Sequence, residues 1–105
     1  MTEQPKKKKG PKTLLGVFEI IPDYDEIPDE MSLEDVMEQK IKSIVEQTEG
    51  YIETFRIEEV AFGAQKIIAR IILKEREGGT QPLEDAISSV PEILRAECSM
   101  VSIIS

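Results

Sequence analysis

The sequence predicts an α+β, ferredoxin-like βαββαβ sandwich, a four-stranded antiparallel sheet with two helices on one face. Three observations carry that expectation. Two stretches repeat apolar residues at helical spacing, four others read as strands, and the halves 13–60 and 65–104 each run strand, helix, strand.

The first strand is Thr13 to Ile21, rich in Leu, Val, Phe and Ile and bounded by Pro11 and Pro22. Pro22 to Met31 holds two prolines and five acids and reads as a loop. Within it, Tyr24 sits between Asp23 and Asp25, either folded back on the core or turned towards a partner. Ser32 and Asp35 form a capping-box start. From there Leu33, Val36, Met37, Ile41, Ile44 and Val45 fall on one helical stripe, which predicts a helix to about Gln47 before Gly50 resets the chain.

Tyr51 to about Val60 alternates, with Tyr51, Phe55 and Ile57 on one side and Thr54, Arg56 and Glu58 on the other. The phase changes at Glu58 and Glu59, as a bulge or a strand end would require. Gln65 to Lys74 is the third strand, with Ile67, Ala69, Ile71 and Leu73 on its core face. The Gly78-Gly79 turn follows, with backbone geometry and close approach of a partner as its two readings. Thr80 is placed to cap a second helix, with Pro82 in its first turn. Leu83, Ala86, Ile87 and Val90 form its stripe and Pro91 stops it. Ile93 to Ile104 then alternates through Leu94, Ala96, Cys98 and Met100 as the last strand. Right-handed crossovers place the 22–31 loop beside the 61–64 connection, and the Gly78-Gly79 turn beside the C-terminus at the opposite end.

At 105 residues the chain has room for one domain. Residues 1–12 hold five lysines, two prolines and a glycine, and read as a disordered basic tail. The net charge of -8 is unevenly spread. Lys6, Lys7, Lys8, Lys9 and Lys12 against Glu3 give the tail +4, leaving 8 basic and 20 acidic residues, a net of -12, in 13–105. No Lys or Arg occurs between Thr13 and Gln39, where nine carboxylates do. Such a body repels phosphate backbones and is steered towards a basic protein face. Direct nucleic-acid binding is thus not expected of it. Weak RNA or ribosome contact is left to the tail, whose other reading is a solubilising extension.

Absences narrow the chemistry. With no His, Asn or Trp and one cysteine, there is no Ser-His or Cys-His pair, no imidazole or thiolate metal site and no internal disulfide. Cys98 reads as a small buried residue. No phosphate loop of the usual spacing and no membrane-length apolar stretch or signal peptide is found, so the expectation is a cytoplasmic monomer without cofactor or metal.

The stretch Glu59 to Lys66 stands apart. It sets Phe62 beside Gly63 between two alanines, so the ring either plugs the end of the core or probes a partner. Val60-Ala61-Phe62-Gly63, a Lys66-containing apolar strand, Gly79-Thr80 leading into Leu83-Glu84, and Ile21-Pro22-Asp23-Tyr24-Asp25 together resemble the guanine-nucleotide-exchange domain of translation elongation factor 1-beta, in its compact archaeal form. The resemblance spans residues 13–105. It implies a non-enzymatic exchange factor that accelerates GDP release from the GTPase elongation factor 1-alpha, with Phe62 inserted into the partner and Gly63 permitting the turn. It also implies partner contacts at Ala61, Lys66, Asp23, Tyr24, Gly79, Thr80 and Ile104. Eukaryotic members place a magnesium-displacing lysine where this chain has Ile104, so that step does not carry over. The alternative reading is a small regulatory or scaffold domain that binds a ligand or subunit without driving exchange.

Overall fold

The computed structural model describes residues 12–104, and the expected basic tail lies, apart from Lys12, outside them. Its elements are β1 (Thr13–Pro22), a helical body α1 (33–47), β2 (Tyr51–Glu59), β3 (Gln65–Lys74), α2 (Gln81–Ser88) and β4 (Ile93–Ile103). The antiparallel sheet has the order β2-β3-β1-β4, as the βαββαβ reading requires.

Register explains where the core sits. β1 pairs with β3 through Leu14↔Leu73, Gly16↔Ile71, Phe18↔Ala69 and Ile20↔Ile67, so the apolar sets of both central strands share one face. Phe18, Ile20, Ile67 and Ile71 are buried there in one cluster with Val36, Met37, Ile41 and Val45 of α1 and Leu83 and Ile87 of α2. Each such side chain contributes roughly 1.5–3 kcal/mol by leaving water. Gly16 belongs to the same fit, because a Cβ there would stand 2.6 Å from the Phe18 ring. On the face away from the helices, Ile68 and Ile72 are still buried, flanked in register by Glu19 and Arg56 and by Leu15 and Tyr51.

Ser32 caps α1 as expected. Its hydroxyl accepts from the Asp35 N–H, and its own N–H donates to Asp35 Oδ2, both at 3.1 Å. The helix differs from a plain α-helix in its middle, where Leu33–Val36 gives way to a π-helical segment, Met37–Ile41, before α geometry resumes over Lys42–Gln47. Its stripe still faces the sheet. The helix ends in a Schellman arrangement, with Gly50 N–H donating to Val45 O and Glu49 N–H to Glu46 O, both at 3.1 Å. The left-handed residue is Glu49 (φ 65°) rather than Gly50. Gly50 is needed for space, since a Cβ would lie 2.5 Å from Ile72 O.

Two strands depart from simple alternation. In β2 the register shifts between Ile52 and Thr54, so Ile52, not Tyr51, joins Phe55 and Ile57 against the core. Tyr51 is exposed opposite Ile72. The second phase change is the end of the strand at Glu59. In β4, shifts opposite Ile21/Pro22 and Val17/Phe18 put Ile93 and Ala96 into the core and leave Leu94 and Met100 exposed. Unbroken alternation would have grouped Leu94 and Met100 with Ala96; the bulges break that parity.

Thr80 occupies the N-cap position of α2 without a side-chain cap bond, contrary to expectation. Its hydroxyl instead donates to Glu84 Oε1 at 2.9 Å, while Glu84 Oε2 accepts the Cys98 N–H at 3.0 Å. Glu84 thereby ties α2 to the bulged part of β4. Cys98 is partly buried, and desolvation pushes its thiol above the ordinary range, against the lowering effect of its bond to Met100 O.

Four outcomes follow from these geometries. Glu49→Gly should raise stability in urea by about 1 kcal/mol, because glycine adopts the left-handed cap without a Cβ penalty. Gly50→Ala should lower it. Cys98 should alkylate more slowly at pH 8 in the folded protein than in urea. Since its folded pKa is raised, its contribution to stability should fall as pH climbs past the unfolded thiol's value of about 8.5.

Candidate functional site

The connection between β2 and β3 holds the most unusual backbone of the described residues. Phe62 (φ 63°, ψ 32°) and Gly63 (φ 77°) are left-handed in succession, the φ pattern of a type I′ turn. Val60 N–H donates to Ala64 O at 2.8 Å and Ala64 N–H to Ala61 O at 3.3 Å, closing the turn. Gly63 adopts this conformation freely. Phe62 does not, since a side chain in the left-handed region costs about 1–2 kcal/mol.

Among the described residues, nothing compensates for that cost. Phe62 is fully exposed, at 104 % of its reference area, and Val60 beside it is exposed too. The ring is therefore not a plug for the core. Asn, Asp or Gly would normally occupy the first position of such a turn.

The 22–31 loop lies against this turn, as the strand order predicts. The Tyr24 hydroxyl accepts the Gln65 N–H at 2.9 Å and donates to Gln65 O at 3.2 Å. Tyr24 is about half exposed, so it neither folds wholly into the core nor stands free. Asp23 acts locally. Its N–H donates to Glu92 O at 2.9 Å, its Oδ1 accepts from Asp25 N–H at 3.1 Å, and its carbonyl accepts from Glu26 N–H at 3.0 Å. A groove beside Tyr24 has an apolar floor of Ile27, Met31 and Ile57 with Asp29, Glu34 and Glu59 around it.

Lys66, one residue into β3, points its ammonium to Glu19 Oε1 at 3.2 Å on the sheet face away from the helices. Half-exposed pairs of this kind contribute little to stability. The remaining predicted residues, Gly79, Thr80 and Ile104, lie at the other end of the sheet, where Ile104 N–H donates to Thr13 O at 2.9 Å and Glu75 N–H to Lys12 O at 2.7 Å. The nine residues thus divide, six at the Phe62 end and three at the far end.

Sequence reasoning missed Gln65, whose backbone receives Tyr24, and the left-handed state of Phe62. Only half of the second was open to inference, because Gly63 suits the second position of this turn while a phenylalanine is not among the residues that signal its first. Among the described residues, no group of three or more carboxylate or thiol side chains is arranged to hold a metal, and no helix is long and apolar enough to cross a membrane.

Comparison with known proteins gives the same direction. Residues 16–105 match the family model of the EF-1 guanine nucleotide exchange domain. The chain is 33 % identical over 91 residues to elongation factor 1-beta of Methanocaldococcus jannaschii, covering 87 % of this chain and 97 % of that protein. It is 31 % identical over 70 residues to elongation factor 1-beta of Methanococcus aeolicus, covering 67 % and 79 %. A third elongation factor 1-beta, from Methanococcus maripaludis, is 24 % identical over 92 residues and covers 88 % and 98 %. With a matching fold, an unburied aromatic held at the joint of its two halves, and these likenesses along nearly its whole length, the chain belongs to the EF-1 guanine nucleotide exchange domain family.

Proposed function

We infer that this chain is a guanine nucleotide exchange factor of protein synthesis, accelerating GDP release from elongation factor 1-alpha so that GTP can reload, and that the Phe62 turn is what it presents to that GTPase. Membership of the family supports the activity. The observation that supports the contact is the fully exposed Phe62 ring in a backbone conformation unfavourable to it.

An exchange factor makes and breaks no covalent bond. It must bind the nucleotide-free GTPase more tightly than the nucleotide-bound form, because only differential affinity shifts an equilibrium. A contact already shaped before the partner arrives spends less of its binding energy on ordering. A rigid aromatic on a tight turn fits that description, since it loses little side-chain freedom on burial in a partner's pocket. Asp29, Glu34 and Glu59 lie around the adjacent groove and favour a basic counter-surface, and charge of this kind acts chiefly on the rate of encounter. Action during translation elongation places the chain in the cytoplasm. The far-end residues Gly79, Thr80 and Ile104 belong to this reading only if the partner spans the length of the sheet.

Release of a fluorescent GDP analogue from elongation factor 1-alpha, at catalytic ratios of this chain, tests the activity. Absence of acceleration overturns it in favour of a non-exchanging binding domain. Phe62→Asn tests the contact. It should cut exchange by about thirtyfold, the range of a central aromatic anchor. It should also raise the melting temperature by a few degrees, because Asn accepts left-handed geometry and an exposed ring is removed. Full activity in Phe62→Asn would exclude the turn as the contact.

A further inference from the structure

We propose that Tyr24 is a positioning residue whose hydroxyl, by gripping the first residue of β3, holds the Phe62 turn in the one orientation it presents. For its effect on exchange this rests on the reading above; for its effect on the turn it rests on geometry alone.

The grip fills a gap in the sheet. β1 and β3 pair as far as Ile20↔Ile67. Carried two residues further, that register sets Gln65 against Pro22, which has no N–H to give. The Tyr24 hydroxyl reaches across 41 positions of sequence and both accepts from Gln65 N–H and donates to Gln65 O. A phenol is suited to this because its one oxygen is donor and acceptor together. It replaces the ladder contact that β1 can no longer make.

Tyr24 is itself held from behind. Asp23 anchors to Glu92 O through its N–H, and its carboxylate and carbonyl fold the next three residues into a tight turn. The ring is half exposed, so burial alone does not fix it against β3. Ahead of the grip, Gln65 follows Ala64, the residue that closes the Phe62 turn through one bond of 2.8 Å and a longer one of 3.3 Å. A turn closed so lightly around a left-handed phenylalanine has other conformations within reach, because relaxing Phe62 to negative φ relieves the steric conflict of its Cβ. Fixing Gln65 removes those conformations before the partner is met, which lowers the ordering cost of the encounter.

The test uses Tyr24→Phe, Phe62→Ala and the double variant in the full chain. Tyr24→Phe keeps the ring and loses only the hydroxyl. Its Gln65 amide should exchange with solvent at least about fivefold faster, and residues 61–65 should show millisecond exchange broadening absent from the parent. GDP release should slow by about fivefold, the worth of one ordinary hydrogen bond. Added to Phe62→Ala, the same substitution should change release by less than twofold. Unaltered Gln65 protection and turn dynamics in Tyr24→Phe overturn the proposal. An equal loss of exchange in both backgrounds also overturns it, since Tyr24 would then touch the GTPase directly. If Phe62→Ala alone leaves exchange intact, the contact reading fails, while Gln65 protection still decides whether the grip exists.

Discussion

The pairing of β1 with β3 is the constraint from which the remainder of the molecule follows. Side chains alternate across a strand, so a slip of one residue would turn either Phe18 and Ile20 or Ile67 and Ile71 away from both helices. Gly16 narrows the options further, because the Phe18 ring occupies the space a side chain there would need. The same register sets Pro22, the last residue of β1, level with Gln65, the first of β3, and this shared end is what brings the acidic loop up to the turn. Core and candidate contact are therefore consequences of one alignment.

How much of this was legible in the sequence varied with how local the cause was. The central strands, the Ser32–Asp35 cap and the α2 stripe were readable because each is written in the spacing of a few neighbouring residues. The strand order alone sufficed to set the Tyr24 loop beside the Phe62 connection. The bulges in β2 and β4 were not readable, because Tyr51 and Leu94 look like core residues until the partner strand's register is known. Glu49 in place of glycine at the helix cap was hidden for a similar reason: Gly50 is demanded by Ile72 O across the fold, and the cap was fitted around it.

Thr80 shows a different kind of miss. Its position was right and its bond was not, since Glu84 offers the hydroxyl a charged acceptor and is itself held by Cys98 N–H of β4. Thr80 lies in the helical region (φ -90°, ψ -9°) and not in the extended conformation from which a cap oxygen accepts the free amides, so its hydroxyl only donates, to the Glu84 carboxylate. Tyr24 and Gln65 are the same lesson at greater distance.

The Phe62 turn has a consequence for how such a chain changes over generations. The residue is fully exposed and sits where its backbone is disfavoured. On the proposed reading, selection for a hardier fold and selection for a willing partner pull position 62 in opposite directions, with no core residue caught between them. The five residues 60–64 form in effect an interchangeable tip on a fixed handle. Specificity for a different GTPase is reachable there by substitution of the tip alone, while the alignment of β1 and β3 stays untouched.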